Sequence, residues 1–380
     1  MRVPVIYEPF YDRDSIWCAS IRAGIERTVT QKKYSSVCID GTAYREYDYD
    51  SLFAGAPRLL IIVANRPSWI RPALRFFAQK RIGVVLVDCC PLVNGAVKGQ
   101  VFFHYEQSIE TILSYLLQNG CTRTALYGCF EGSYADGLKQ RAFDRIMTLR
   151  GVPSPSATHF DNNGSLERCY LDFRQRATEF DSVICTNEIV ANSLIKRLAE
   201  DGITHLRLVS YGSTKLADCT STVLRFDNEQ LAAQTVQAFR YLYNANNDST
   251  YITVRVSGEL VENRSSSAPA DTSELSQISH HAHTDTPTLD FYSDQEVLAL
   301  SKIEKLLEIC DSIDLEMLSL VLRNVPYEQI SDELHISRST VFYRLRRIED
   351  TLSVESLADM KRFLRSHHFD EIIQSITENQ

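Results

Sequence analysis

Between Val3 and Ser267 apolar runs of strand length alternate with amphipathic helical patterns, and this alternation restricts the fold more tightly than anything else in the chain. The runs at 3–7, 36–39, 59–64, 83–87, 124–127, 182–185 and 206–210 read as strands. Apolar residues at helical spacing predict helices at 15–29, 72–79, 107–118, 138–150, 188–200 and 228–243. Several runs, such as Leu59-Leu60-Ile61-Ile62-Val63-Ala64, are apolar without a break, so both faces of the strand need cover. That is the mark of a parallel sheet layered between helices, an α/β fold. In such sheets ligands gather beyond the carboxyl ends of the strands, where loops run into helix N-termini. The loops that begin near Glu8, Asn65, Asp88, Gly128, Thr186 and Tyr211 are therefore the candidates for a binding site.

A second pattern lies far downstream. Ser337 is a good N-cap, and after it Val341, Leu345, Ile348 and Leu352 recur at helical spacing as one inward stripe. Ser339, Tyr343 and Arg346 fall on the opposite face, with Phe342 on its shoulder. Arg338, Arg344, Arg346 and Arg347 lie in this helix, and no acid occurs between Glu333 and Glu349. Such a face is a solvated basic surface or a nucleic-acid contact, since guanidinium groups suit phosphates and the edge of guanine. The second reading makes Arg338, Ser339, Phe342, Tyr343, Arg346 and Arg347 the candidate DNA-binding residues.

The 380 residues are enough for two or three domains. With a formal net charge of −9 any basic face must be local, and DNA binding should be strongly salt-sensitive. No apolar run reaches the length of a membrane span, and Met1-Arg2 leads straight into a strand pattern, so a cytoplasmic location without membrane contact is expected. Ten cysteines are scattered without metal-ligand spacing and read as reduced thiols; no cofactor is expected. The chain has no GxSxG, P-loop or HExxH pattern, so it is not expected to be an enzyme. Residues 268–293 are polar and proline-bearing and read as a flexible linker, in which His280, His281 and His283 belong to a solvated loop rather than a metal site. A connecting helix is expected at 294–313, with Val297, Leu300, Ile303, Leu307 and Ile313 on one stripe, and a C-terminal tail at 367–380.

Residues 314–366 resemble the LuxR/FixJ-type helix-turn-helix. The matching marks are Asp314-Leu315-Glu316-Met317-Leu318, Ile330-Ser331, Leu334-His335-Ile336-Ser337, Thr340-Val341, Leu345, Leu352 and Val354. Phe342 stands where that family has a lysine, Arg344 where it has a histidine and Asn324 where it has a glycine. Asn tolerates the left-handed backbone that a helix end needs, and Pro326 suits a first helical turn. The resemblance implies that Phe342, Tyr343 and Arg346 face the bases. The run TVFYRLRRIE is also similar to the PucR-type helix-turn-helix, ranked second because 355–364 supplies a fourth helix.

Residues 1–267 resemble the LacI/GalR sensor, a two-lobed periplasmic-binding-protein-like α/β fold hinged around a cleft. The marks are Glu8-Pro9-Phe10-Tyr11, Val84 to Asp88, Leu116 to Gly120, Cys185-Thr186-Asn187-Glu188, Leu208 to Tyr211 and Val261 to Ser265. The resemblance implies effector contacts at Phe10, Tyr11, Lys139, Asn187, Glu188 and Tyr211. Lys139 replaces the usual arginine with a point charge, Gly212 replaces an acid and His104 stands at another acid position, which argues against an ordinary sugar. For Asn187 the plain alternative is a helix cap, and for Phe10 and Tyr11 it is hinge packing.

Together these readings imply an α/β sensor followed by an all-α DNA-binding domain. The chain is then a homodimeric transcriptional regulator that binds double-stranded DNA, takes a small-molecule effector and has RNA polymerase as a further partner. The alternative is a sensor fold kept only for dimerisation or for input from a protein partner. A phosphoryl-accepting receiver fits badly, because no acidic pair follows the first strand and the region is about twice too long.

Overall fold

The computed structural model describes residues 1–9, 15–89, 95–245, 249–263 and 291–378. The first elements in chain order are β1 (Arg2–Tyr7), α1 (Ile16–Gln31), β2 (Ser35–Asp40), α2 (Tyr49–Phe53), β3 (Leu59–Val63), α3 (Pro67–Gln79), β4 (Gly83–Val87) and β5 (Val97–Phe103). There follow α4 (Tyr105–Gln118), β6 (Thr124–Cys129), α5 (Tyr134–Leu149), β7 (His159–Asp161), α6 (Leu166–Arg174), β8 (Ser182–Cys185) and α7 (Glu188–Glu200). The body closes with β9 (Arg207–Gly212), β10 (Thr222–Arg225), α8 (Asn228–Ala245), β11 (Ile252–Val256) and β12 (Glu259–Glu262).

These strands make two six-stranded sheets, in the orders β11-β5-β4-β3-β1-β2 and β12-β10-β9-β8-β6-β7. Every pairing is parallel except β10 with β12. Each sheet is the heart of one lobe, and the chain passes between lobes at β5 to α4, β10 to α8 and β11 to β12. All seven strands expected from apolar runs form. β5, β7, β10, β11 and β12 did not stand out in the sequence. β5 carries Lys98, Gly99 and Gln100 in its middle, β7 has three residues, and β11 and β12 hold half-exposed edge positions.

The C-terminal part is all-helical: α9 (Gln295–Ile309), α10 (Ser312–Leu322), α11 (Tyr327–Glu333), α12 (Arg338–Leu352), α13 (Leu357–Ser366) and α14 (Phe369–Glu378). Three boundaries differ from the sequence reading. The end of the expected linker, Phe291–Ser293, is a 3-10 turn whose Phe291 packs on Phe130 with ring centroids 6.0 Å apart; an aromatic pair at the edge of a polar segment finds an apolar wall. His280, His281 and His283 lie outside the described residues.

The expected helix at 294–313 breaks after Ile309, because Asp311 and Asp314 form a reciprocal capping box that starts α10. Ile313 thereby belongs to α10. The expected tail is mostly helix α14, whose Phe369, Ile372, Ile373 and Ile376 recur at helical spacing and are buried.

The apolar core of the second lobe runs without interruption into that of the C-terminal helices, through Val297, Leu300, Ile303 and Leu307 of α9. The helical part is thus packed on the body. Ile303 is fully buried at this junction. Ile303→Ala is expected to cost about 2–5 kcal/mol, the usual range for truncating such a side chain, and chemical denaturation of the full chain checks it.

Candidate functional site

Between the lobes, at the carboxyl ends of the strands, lies a cavity of about 150 Å³. Its first-lobe wall includes Asp88, which follows β4 with a left-handed backbone (φ 50°) that Asp tolerates. The Asp88 carboxylate accepts the Tyr105 hydroxyl at 2.9 Å and the Phe103 amide at 3.4 Å. Burial outweighs these bonds and the Lys139 charge, and pushes the Asp88 carboxyl up to about 7.

The second-lobe wall holds four of the residues expected at an effector site. Lys139 on α5 donates to Asp136 at 3.0 Å and to the Thr186 carbonyl at 2.7 Å, and its ammonium lies 5.2 Å from the centre of the Tyr211 ring. Asn187 caps α7 by accepting the Val190 amide at 2.9 Å, so the capping alternative holds, and its side chain also lines the cavity. Glu188 is buried and accepts the Ser213 amide at 3.0 Å and the Thr214 hydroxyl at 3.0 Å, which ties the loop after β9 to the start of α7. Tyr211 lines the cavity with a buried hydroxyl that has no hydrogen-bond partner among the described residues. Phe10 and Tyr11 lie outside the described residues.

The two replacements read as lost acids have local causes. A Cβ on Gly212 would stand 2.4 Å from that of Ala217, so the close turn after β9 excludes a side chain. His104 caps α4, its Nδ1 accepting the Gln107 amide at 3.1 Å.

Several wall residues were not among the effector contacts expected from the sequence, although Asn65 and Asp88 open two of the candidate loops. Asn65, after β3, reaches across the cleft: its Nδ2 donates to Ser133 Oγ at 3.0 Å and its Oδ1 accepts the Ala135 amide at 3.1 Å. Glu304 reaches the cavity from α9, the helix that leads into the C-terminal part. A signal for it was present, since it occupies the apolar stripe at helical spacing from Leu300 and Leu307.

A second candidate surface is the outer face of α12. Ser337 caps the helix by accepting the Thr340 amide at 3.1 Å, and Val341, Leu345, Ile348 and Leu352 are buried as the periodicity predicts. Opposite them Tyr343 is 72% exposed, Phe342 54% exposed, and the Arg346 side chain 74% exposed. Arg338 is exposed at the helix start, 2.9 Å from Glu328, and Ser339 is exposed beside it. Arg347 departs from this set: its guanidinium turns to the fully buried Asp314, which also pairs with Arg344 at 2.8 Å. Asn324 has the left-handed φ of 60° expected at the end of α10. α11 and α12 are joined by the short turn 334–337.

No protein-family model matches the sequence, and no curated protein matches it. Solved structures do. The complex of the transcriptional regulator CelR with cellobiose superposes with a TM-score of 0.56 at 11% identity, over 68% of this chain and 83% of that one. A LacI transcriptional regulator from a Rhodococcus species gives 0.54 at 14% identity, over 69% and 97%. A Lac repressor dimer bound to operator and the anti-inducer ONPF gives 0.55 at 15% identity, over 69% and 92%. The body has the two-lobed periplasmic-binding-protein-like fold. Among the described residues no helix is long and apolar enough to cross a membrane.

In this two-lobed fold Asp88 sits where the lobes face one another, and its raised pKa makes it a stability sensor. A carboxyl that is neutral in the folded state but has an ordinary pKa when unfolded costs stability as pH rises from about 4 through 7. Asp88→Asn keeps the left-handed backbone and is expected to lose less stability between pH 5 and 8 than the parent. The difference is bounded by about 3 kcal/mol, because of the whole shift only the roughly two units between pH 5 and 7 fall inside this window, and urea denaturation at the two pH values measures it.

Proposed function

We propose that this chain is a sequence-specific DNA-binding transcriptional regulator. In this reading the two-lobed body binds a small-molecule effector, and α11 and α12 form a helix-turn-helix of LuxR type whose second helix enters the major groove. The observation that carries the reading is the exposed outer face of α12, with Tyr343, Phe342, Arg346, Arg338 and Ser339 accessible to solvent while the apolar stripe is buried; Arg346 pairs there only with Asp350 of its own helix, at 3.6 Å, among the described residues. An exposed aromatic pair is costly to leave in water without a role, and arginines beside it suit phosphate and base edges together. Arg347 contributes chiefly by holding Asp314.

The likeness of the body to an operator-bound repressor and to a sugar-bound regulator supports a ligand-responsive role for it. Small-molecule input is also favoured by the cavity itself, whose wall carries buried polar atoms in need of a partner. Packing against Ala217 accounts for the glycine at 212, and the acid that the resemblance implies there is absent. The protein works as a homodimer that sets two copies of α12 about one DNA turn apart, and closure of the cleft changes that spacing.

Selection of bound DNA from a random pool tests the reading. The parent should enrich one motif, and Arg346→Ala should bind it about 1–3 kcal/mol more weakly with relaxed preference at a single position. An equal loss on all sequences makes Arg346 a phosphate contact, and a parent that enriches nothing overturns the proposal.

A further inference from the structure

We infer that the effector is a compact organic amine bound as its ammonium ion, and that Glu304, from the helix leading into the DNA-reading part, is one of its ligands. This rests on the regulator reading above and adds to it the chemical class of the effector and a site residue outside the sensor body.

The described wall of the cavity is acidic. Among the described residues four acids, Asp88, Asp136, Glu188 and Glu304, reach its wall against one base, Lys139. That lysine is already spent on Asp136 and the Thr186 carbonyl. Asp88 and Glu304 are left without an ion-pair partner among the described residues. With the cavity empty, burial keeps these two carboxyls protonated; a cation is the ligand that turns them into carboxylates paired with its charge, which neither an anion nor a neutral molecule does.

Independently of charge, the wall holds polar atoms in want of a donor. The Asn228 carbonyl oxygen and the Tyr211 hydroxyl lie on the cavity wall without a hydrogen-bond partner among the described residues, and these side chains belong to residues only 6% and 2% exposed. An amide oxygen only accepts, so what it lacks is a donor. An ammonium group supplies three donors and no acceptor, the complement of a wall rich in acceptors.

The cavity is also lined by aromatic rings. Tyr211 and Phe226 stack with centroids 5.5 Å apart, and Tyr105 meets Phe226 edge-on at 5.6 Å. Ring faces attract a desolvated cation, as Lys139 already illustrates over Tyr211 and Tyr105.

Titration follows from the same geometry. Glu304 is buried and faces Glu188 and Tyr292, with Thr214 as hydrogen-bond partner and Glu308 and Lys305 on its own helix, and its carboxyl is held well above the ordinary range by burial and then by the Glu188 charge. Asp88 faces Tyr105, Lys139 and Asp136. Both carboxyls ionise when a cation arrives, so binding releases protons and tightens as pH rises from 6 to 8.

The test is calorimetry and thermal shift on the full chain with two matched series: putrescine, 1,4-butanediol and succinate, then tyramine, tyrosol and 4-hydroxyphenylacetate, with glucose as a further neutral probe. An amine is expected to bind and raise the melting temperature by several degrees, more at pH 8 than at pH 6, while its alcohol and acid counterparts do not. Asp88→Asn and Glu304→Gln should each weaken that binding about tenfold or more; the first variant keeps the test decisive if the second fails to fold. Preference for an alcohol, an acid or glucose, or no response to either amine at 10 mM, overturns the inference. DNA affinity measured with and without the bound amine separates the two proposals. Binding that leaves DNA affinity unchanged sinks the effector role and leaves the ligand class standing.

Discussion

The structure turns on how α9 is held. Its side chains Val297, Leu300, Ile303, Leu306 and Leu307 are buried between the second lobe and the C-terminal helices. Each such side chain contributes roughly 1.5–3 kcal/mol by leaving water. Polar contacts then fix the register. Arg197 of α7 pairs with Glu296 at 2.7 Å, and Asp294 accepts the Leu166 amide at 2.8 Å. At the far end Lys215 donates to the Leu307 and Cys310 carbonyls at 2.9 and 3.0 Å, taking up acceptors that a helix end leaves without intrahelical partners. A helix welded in this way carries any rigid movement of the lobe into the helices beyond it.

A buried charge orients α12 in turn. Asp314 is fully buried and receives Arg344 and Arg347 from α12, and Asp311 receives Arg344 as well at 2.9 Å. Removing one partner of such a set leaves an uncompensated charge, so the pairs lock the rotation of α12 about its own axis more than they add net stability. Two of its arginines are thereby turned toward the protein, and Arg346 is left on the outer face with Tyr343 and Phe342. Charge counting along the helix could not make that division, because it depends on an acid that lies far away in sequence.

The strands that were legible are those whose apolar runs are covered on both sides, β1, β3, β4 and β8 most plainly. Edge strands and β5 were hidden, because a half-exposed strand or one broken by Lys98 and Gly99 has no distinctive local pattern. The same limit applied to the cavity. Lys139, Asn187, Glu188 and Tyr211 could be named from a resemblance, whereas their partners could not: that Lys139 is neutralised by Asp136, or that Glu188 ties down Thr214, is a matter of tertiary distance. Glu304 was missed, although a charge on an apolar stripe is costly unless something satisfies it and could have drawn notice.

These local facts join into one path. Glu188 lies in the cavity wall and holds Ser213 and Thr214; Lys215, the next residue, holds the end of α9; and α9 packs against α12. Glu304 reaches back from α9 to the same cavity. A ligand shifts a conformational equilibrium only to the extent that it binds one state better than the other. Here a cavity occupant would meet residues of both the lobe and α9, so any preference for one seating of α9 over another is also a preference for one placement of α12. Coupling of roughly 1–3 kcal/mol between two such sites is ordinary. The shared apolar core makes a graded response unfavourable, because close-packed side chains tolerate discrete repacking better than partial separation.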